Sequence, residues 1–338
     1  MHFHLTEEQT AIQDAVRGTL ADSWPMERIH AFADGDADFD GDSWQAMMAL
    51  GLGGILLPDS GMGLLDAALV CEVAGEAAAA GPLIGQLLAV AAIARSENEA
   101  AKAHLEGLSS GTTVATLAFT AGDPAEAELM VPCARSAQLF LIGSRTGGIA
   151  LVEAGDAVTI APVASTDRSR PVSKVTFAGA TMLQLFAPED PMTAKLYAAA
   201  LVLAAADALG GAQKVTDMSV AYAKEREQFG QPIGRFQGLK HQLAHMALDV
   251  EPARALLWYA AYAWDADLPD AARAAAMAKA HLSDVYVRAT RAAVAAHGGI
   301  GYTWEYGLNY WFRRAVFDRA WLGSPSMQRA RAAKLAGW

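Results

Sequence analysis

The spacing of hydrophobic residues changes twice along the chain and divides it into three regions. From Thr6 through the first third of the chain, apolar residues recur at helical spacing, as Val16 and Leu20 do. Thr6 and Gln9 have the form of a capping box, so the first helix is predicted to begin directly after Thr6. We therefore expect an N-terminal helical domain over residues 1–110.

The sequence pattern in the middle of the chain predicts short strands. Apolar and β-branched residues form short runs bounded by Gly, Asp and Ser, at positions 114–119, 139–142, 149–152 and 158–163. Such runs between turn residues are typical of strands. We predict a small antiparallel β domain over residues 111–190.

Helical spacing returns after Pro191 and continues almost to the C-terminus. The first helix of this region is predicted over residues 193–223, where Gly210 and Gly211 favour close packing against another helix although such a pair weakens the helix itself. Short loops between successive helices favour an antiparallel bundle over residues 191–338. The predicted fold class is mainly α with a small β domain.

Two more helices are predicted in this bundle. One follows Phe236 and contains Pro252, where we expect a kink. The next begins at Asp270, interpreted as its cap, and ends at the glycine pair Gly298-Gly299.

Composition narrows the class of protein. The chain has 338 residues, 53% of them hydrophobic, which is enough for two or three packed regions. A net charge of −11 argues against nucleic acid or an anionic membrane as a partner. Cys71 and Cys133 lack a neighbouring Cys or His at metal spacing, and we interpret both as buried thiols.

The sequence shows no sign of export or membrane insertion. The segment from Met1 to Thr6 lacks the basic and long apolar parts of a secretion signal. The longest charge-free apolar stretches, 83–94 and 196–206, are shorter than the ~20 residues that a membrane span needs. We expect a cytoplasmic protein.

The densest candidate chemistry lies between two predicted helices, in the segment YAKEREQFGQPIGRFQ at positions 222–237. Arg226 can pair with a pyrophosphate, because its planar guanidinium donates two parallel hydrogen bonds. Phe229 and Phe236 can pack on an adenine face, and the amides of Gln228 and Gln237 can bind polar edges. The same residue types also suit a helix hairpin with a salt-bridged arginine and core phenylalanines, and spacing alone leaves both interpretations open.

A second candidate, HGGIGYTWE at positions 297–305, follows a long helix. Gly298, Gly299 and Gly301 let backbone approach a phosphate or ribose without a Cβ in the way. A helix C-terminus carries partial negative charge, so phosphate binding there depends on the loop amides. The alternative is an ordinary glycine-terminated helix.

Together the two segments resemble the acyl-CoA dehydrogenase family, and the resemblance covers almost the whole chain. The turn at 51–58 and the triplet TDR at 166–168 also match. The resemblance implies a helical N-terminal domain, a middle β domain and a C-terminal helical bundle. It further implies oxidation of acyl-CoA thioesters at Cα–Cβ with FAD, followed by electron transfer to an electron-transferring flavoprotein.

In this family the two segments of one subunit hold the adenosine-pyrophosphate half of an FAD that is seated in the neighbouring subunit. Carried over residue by residue, the implied FAD contacts are Arg226, Gln228, Phe229, Ile233, Phe236, Gln237, Gly298 and Gly299. Ala295 stands where many members have Gln, which removes one polar contact.

The catalytic base of the family has no counterpart here. Most relatives carry a Glu at the position of Leu322, and a minority carry it at the position that corresponds to Ala200. Asp207 lies seven residues further along the same predicted helix, ~10 Å away along the axis. It is the remaining candidate for the base, but because of this displacement we favour a role as a cap or an ion-pair partner. His241 and His245 lie one helical turn apart without a third ligand, and no metal site is predicted.

The β region also departs from the family. Relatives that bind their own flavin ring have a Thr-Glu-Pro…Gly-Ser-Asp segment, which LAFTAGD at 117–123 matches only weakly. They also have a later strand that has no match here. We therefore expect a non-catalytic subunit that completes the FAD site of a full-length acyl-CoA dehydrogenase, as in bacterial enzymes for CoA thioesters of steroid side chains and other bulky acids. The alternatives are a self-sufficient homo-oligomeric enzyme with an unusual base, possible also as a homodimer, and a non-enzymatic scaffold.

Overall fold

The computed structural model of the chain describes residues 4–144 and 146–338. Of the N-terminal segment considered above, Met1, His2 and Phe3 lie outside the described residues. The first part of the chain is helical, with a short 3₁₀ turn at Leu52–Gly54 between the third and fourth helices. Its helices are α1 (Glu7–Ser23), α2 (Met26–Asp34), α3 (Gly41–Met48), α4 (Leu64–Glu76), α5 (Leu83–Arg95), α6 (Glu99–Lys102) and α7 (Leu105–Ser110).

The predicted capping box at the start of α1 is confirmed. The Gln9 amide N–H donates to Thr6 Oγ1 at 3.1 Å, and the Thr6 amide N–H donates to Gln9 Oε1 at 3.1 Å. Val16 and Leu20 of this helix are buried, as their spacing predicts. Cys71 and Cys133 are also buried and unpaired by disulfides, which confirms the interpretation of both thiols.

Seven strands follow, arranged in two sheets. They are β1 (Ala115–Thr120), β2 (Leu129–Pro132), β3 (Leu139–Ser144), β4 (Gly148–Glu153), β5 (Thr159–Val163), β6 (Val172–Thr176) and β7 (Met182–Phe186). One sheet has the order β1-β3-β4-β7 and the other β2-β6-β5.

The prediction of a purely antiparallel β region is wrong at one position. Strands β1 and β3 pair in parallel, with Ala115 opposite Leu139 and Thr120 opposite Ser144. Parallel neighbours need a crossover, and the chain makes it through β2, which lies in the other sheet. The alternation of residues within a strand does not encode the direction of its neighbour, so the sequence alone did not reveal this pairing.

The C-terminal part is a helical bundle built on one very long helix. Its elements are α8 (Pro191–Glu225), the short strands β8 (Glu227–Gln228) and β9 (Gln231–Pro232), a 3₁₀ turn (Ile233–Arg235), α9 (Gln237–Asp265), α10 (Ala271–His297), a second 3₁₀ turn (Gly298–Tyr302), α11 (Leu308–Ala320) and α12 (Pro325–Leu335). The fold class is therefore mainly α with a small β part, as predicted.

Helix α8 is the centre of the core. It is long and apolar enough to cross a membrane by length and composition, yet 72% of its most apolar window is buried inside the fold. The glycine prediction is confirmed, because a Cβ at Gly210 would overlap the Glu72 carbonyl of α4 and one at Gly211 would overlap the ring of Tyr286 in α10. These glycines let three helices approach one another closely.

Pro252 lies inside α9, which continues past it, and the expected kink at this position stays a prediction. One detail of the bundle differs from the sequence-based expectation. Asp270 occupies the position before α10, but its side chain makes no capping hydrogen bond. It accepts hydrogen bonds from the Tyr259 hydroxyl and from Arg273 instead, because these donors compete for the same carboxylate.

Candidate functional site

The segment after α8 forms a small hairpin whose tip projects from the molecule. Strands β8 and β9 pair, and the two residues between them, Phe229 and Gly230, have φ angles of 53° and 76°. Positive φ at both central residues is the geometry of a tight two-residue hairpin turn. The ring of Phe229 is 92% exposed, so it contributes almost nothing to the core.

Arg226 lies at the base of this hairpin with its guanidinium in solvent. Its amide N–H donates to the Tyr222 carbonyl at 2.8 Å, and its carbonyl accepts from the Ile233 amide at 2.8 Å. Among residues 4–144 and 146–338 its side chain has no ion pair. The alternative of a salt-bridged arginine with core phenylalanines is therefore wrong for Arg226 and for Phe229.

The other predicted contacts of this segment lie around the same turn. Gln228 is exposed, and its Nε2 donates only to the adjacent Glu227 carbonyl, at 2.8 Å. Ile233 and Phe236 are half-buried, and the Phe236 ring lies 6.1 Å from that of Phe229 in a perpendicular arrangement. Gln237 is the exposed first residue of α9.

The residues directly after α10, Gly298 to Gly301, form the second candidate segment's glycine island. Its first two residues are open to solvent. Gly298 has φ 64° and ψ −139°, a conformation that is essentially restricted to glycine. A Cβ at Gly298 or Gly299 would have no heavy atom within 4 Å, so both present bare backbone. Ala295, at the position where many relatives have Gln, is exposed in the last turn of α10.

The structure brings the two segments together through side chains that the sequence-based site did not include. Tyr222, one turn before Arg226, stacks on His297, directly before Gly298, with ring centroids 4.6 Å apart. His297 in turn hydrogen-bonds the Tyr306 hydroxyl at 2.9 Å. The signal in the sequence was their adjacency to predicted contact residues, since an aromatic ring or histidine next to a binding loop is well placed to orient it.

The loop after the glycine island is fixed by cations. The guanidinium of Arg168 lies 4.8 Å from the centre of the Trp304 ring, and that of Arg313 lies 4.9 Å from it. Arg168 belongs to the TDR triplet at the end of the β region. This triplet therefore packs on the second candidate segment rather than forming a separate site.

Neither position of the family's base carries an acidic side chain, and only Ala200 is buried. Leu322 has φ 59°, and its carbonyl accepts hydrogen bonds from the Tyr197 hydroxyl at 3.1 Å and from Gln328 Nε2 at 2.6 Å. Ala200 is fully buried in α8. Tyr197, three residues before Ala200, also packs edge-on against Phe119 of β1 at 5.0 Å. One tyrosine thus contacts both the Leu322 carbonyl and the segment that weakly resembles the family's flavin-ring segment, one helical turn from Ala200.

A cavity next to Leu117 and Trp321 is small. Its volume is about 30 Å³, and its walls include Leu117, Arg170, Asp207 and Trp321. That volume corresponds to about one water molecule. It has no room for a flavin ring or an acyl chain.

Asp207 is an ion-pair partner, as the sequence-based interpretation proposed. It accepts from Arg314 Nε at 3.0 Å and from Arg314 Nη2 at 2.6 Å, and it also pairs with Arg170 at 2.6 Å. Burial by itself raises the pKa of Asp207, but the two guanidinium groups outweigh burial and hold the pKa well below its ordinary value. A carboxylate stabilised in this way is a poor proton acceptor, so Asp207 does not replace the missing base.

His241 and His245 are exposed on α9, beside a groove of about 390 Å³ between α9 and α10. The nearest carboxylate on the groove, Asp249, pairs with Arg288 at 2.9 Å. In the described part of the chain no group of three or more His, Cys, Asp or Glu residues is arranged to hold a metal ion.

Comparisons with known proteins identify the family. The family models "Acyl-CoA dehydrogenase, N-terminal domain" and "Acyl-CoA dehydrogenase, C-terminal domain" match residues 6–112 and 192–336. The acyl-CoA dehydrogenase IpdE2 of Mycolicibacterium smegmatis is 29% identical over 97% of this chain and 98% of its own length.

Two solved structures share the fold over nearly the full chain. The steroid ACAD Tcur3481-Tcur3483 is 26% identical, with a TM-score of 0.88 and 98% of both chains covered. The ChsE4-ChsE5 complex of Mycobacterium tuberculosis is 23% identical, with a TM-score of 0.87, and covers 100% of this chain and 99% of that one. The chain therefore belongs to the acyl-CoA dehydrogenase family, the FAD-dependent oxidoreductases that act on acyl-CoA thioesters.

Proposed function

We propose that this chain is a subunit of a heteromeric acyl-CoA dehydrogenase and contributes the adenosine-pyrophosphate half of an FAD site to a full-length partner that carries the catalytic base. The observation that carries this proposal is a contrast between two sides of the chain: Leu322 and Ala200 occupy the positions of the base, whereas the residues expected to contact adenosine and pyrophosphate are mostly exposed. The chain therefore offers the adenosine side of an FAD site without the residue that removes the Cα proton.

The open side fits the polar half of FAD. Arg226 offers an unpaired guanidinium for a pyrophosphate, and a hydrogen bond between charged groups is among the strong ones in proteins. Phe229 offers a free aromatic face for adenine, while Gly298 and Gly299 offer backbone that a phosphate or ribose can approach. All of these groups point away from this chain's core, which suits a cofactor seated in another subunit.

The reaction side lacks a group that the reaction needs. Bound FAD would supply the hydride acceptor, and the protein must place a carboxylate within hydrogen-bond reach of the Cα proton of the thioester. Each buried carboxylate of the described residues has at least one polar partner, although one oxygen each of Glu72, Asp167 and Asp318 has no hydrogen bond. These carboxylates are Asp38, Glu72, Asp167, Asp207 and Asp318. Base and flavin-ring pocket would therefore come from the partner.

The relatives support the heteromeric arrangement. One solved structure is described by two component names as a steroid ACAD, and another is described as a complex of two components. By analogy we propose a bulky, steroid-like acyl-CoA as the substrate class, an electron-transferring flavoprotein as the electron acceptor and the cytoplasm as the compartment. We also retain the divisions 1–110, 111–190 and 191–338 as the proposed domains.

The test is to produce the chain alone and together with the full-length acyl-CoA dehydrogenase that co-purifies with the tagged chain from its own cells. We expect no acyl-CoA oxidation by the chain alone, and bound FAD with turnover by the assembly. Full turnover by the chain alone would contradict the proposal and favour a self-sufficient enzyme. An assembly without flavin would favour a scaffold.

Replacing the exposed cation tests the FAD contact directly. Because a charge-assisted pair with pyrophosphate is lost, Arg226→Ala should weaken FAD binding by the assembly about 10- to 100-fold. Flavin released on dilution is measured by its fluorescence. Arg273→Ala, at the opposite end of α10, is the matched control and should leave FAD affinity unchanged. Equal affinity of the Arg226 variant and the wild type would exclude the proposed contact.

A further inference from the structure

A buried histidine lies between the two segments that face the proposed cofactor. His297 is the last residue of α10 and is only 4% exposed. Its ring stacks on Tyr222 of α8 at 4.6 Å with an interplanar angle of 26°, and lies 4.9 Å from the ring of Tyr306. Three aromatic rings from three separate parts of the chain therefore meet at this point.

Hydrogen bonds define the tautomer of His297. Nδ1 lies 2.7 Å from the Ala293 carbonyl, which can only accept, so Nδ1 carries the proton. Nε2 is then an acceptor for the Tyr306 hydroxyl at 2.9 Å. Burial lowers the pKa of His297, which favours this neutral form. With both ring nitrogens engaged, the imidazole has one defined orientation.

The stack fixes backbone on both sides of the site. The Tyr222 carbonyl accepts a hydrogen bond from the Arg226 amide N–H at 2.8 Å. The position of this last turn of α8 therefore determines where the hairpin begins. On the other side, a Cβ at Gly301 would lie 3.1 Å from the His297 Cβ, which shows how closely the glycine island folds over the histidine. In the part of the chain that the structure describes, no hydrogen bond joins the hairpin to the island directly.

We propose that His297, held by Tyr306, is a positioning residue that sets the separation of the Arg226 hairpin and the Gly298-Gly299 island, so that both can contact one FAD. This inference rests on the proposed function. Its physical basis is that two loops on different helices bind one rigid ligand well only when their relative placement exists before binding, since ordering them on binding costs free energy.

The test uses single substitutions that remove either the hydrogen bond to His297 or the aromatic stacking on His297. Tyr306→Phe removes only the hydroxyl and leaves Nε2 without its donor. Tyr222→Leu removes the stack, whereas Tyr222→Phe keeps it. We expect the first two variants to weaken FAD binding by the purified assembly about 3- to 10-fold, and Tyr222→Phe to leave it unchanged. Tyr259→Phe, which loses a hydroxyl bond to Asp270 elsewhere in the bundle, is the control for an effect on stability alone.

A double-mutant cycle distinguishes positioning from simple core packing. If Tyr222 acts through Arg226, Tyr222→Leu should have little further effect on FAD affinity once Arg226→Ala is present. Additive effects, or a Tyr306→Phe variant with unchanged FAD affinity, would overturn the inference. Should Tyr222→Leu fail to fold, Tyr306→Phe decides alone. Loss of FAD binding on Arg226→Ala without any effect of the tyrosine variants refutes only this inference, whereas no effect of Arg226→Ala refutes the proposed function.

Discussion

At the scale of single residues, Phe229 departs most clearly from what folding of this chain alone would favour. A left-handed backbone costs an L-residue roughly 1–2 kcal/mol, and a ring that is 92% exposed recovers little of that by burial. Residues held in such conformations cluster at binding and catalytic sites. The strain at Phe229 therefore agrees with a role in contact with a molecule from outside the chain.

Phe229→Asn should separate stability from function. Asn followed by Gly230 is the preferred pair for a hairpin turn with two positive φ angles, so the free energy of unfolding should rise by about 1 kcal/mol. FAD binding by the assembly should weaken about 3- to 10-fold because the aromatic contact is lost. Denaturant titration and flavin fluorescence measure the two effects. A variant that is less stable and binds FAD normally would show that Phe229 serves the fold.

At the scale of helices, the crossing of α4 and α8 determines how closely the two can pack. Gly75 of α4 faces the Asp207 carbonyl, and Gly210 of α8 faces the Glu72 carbonyl, each without space for a Cβ. Asp207 lies beside this crossing and pairs with Arg170 and Arg314. The close contact at Gly210, which was predicted from sequence, is thus adjacent to the central ion pairs.

Gly210→Ala should lower the free energy of unfolding by about 3 kcal/mol. Overpacking against backbone costs far more than the ~1 kcal/mol that alanine adds in helix propensity. Gly18→Ala in α1 is the matched control, because a Cβ there meets nothing within 4 Å, and it should raise stability by ~0.5–1 kcal/mol. Thermal and chemical unfolding of both variants measure this. Similar changes in the two would mean that the crossing tolerates a methyl group.

At the scale of the whole molecule, a buried ionic network joins the loop between β5 and β6 to the helical bundle. Arg170, two residues before β6, pairs with Asp207 of α8 and with Asp318 of α11. Lys279 of α10 donates to the Asp318 carbonyl at 2.6 Å. Burial, opposed by Arg170 and reinforced by Asp207, raises the pKa of Asp318 to about 8. This carboxyl group is thus predominantly protonated when the folded chain is at neutral pH.

The raised pKa of Asp318 gives stability a definite pH dependence. Between its ordinary value of 3.8 and about 8 the folded chain holds a proton that the unfolded chain has lost, so stability falls as pH rises through this window. The slope approaches ~1.4 kcal/mol per pH unit for one proton. Asp318→Asn cannot titrate and should remove this slope between pH 5 and 8.

The matched control for this comparison is Asp284→Asn. Two arginines outweigh partial burial and lower the pKa of Asp284, so it is ionised in both states over the same pH window, and its replacement should leave the slope unchanged. Denaturant titrations at several pH values measure all three proteins. Parallel pH profiles of the wild type and Asp318→Asn would contradict the protonation of Asp318.

The sequence alone determined the positions of the helices, of several strands and of the two candidate segments. Tertiary packing decided which residues from distant parts of the chain meet around the site. Helical spacing, the capping box at Thr6 and the turn residues correctly placed the helices and several strands, because these signals act over a few neighbouring residues. The two candidate segments could be found in the same way. The parallel pairing of β1 with β3, the contact of Tyr197 with Leu322 and the stack on His297 could not, because each joins residues that are distant in sequence and meet only when the core is packed.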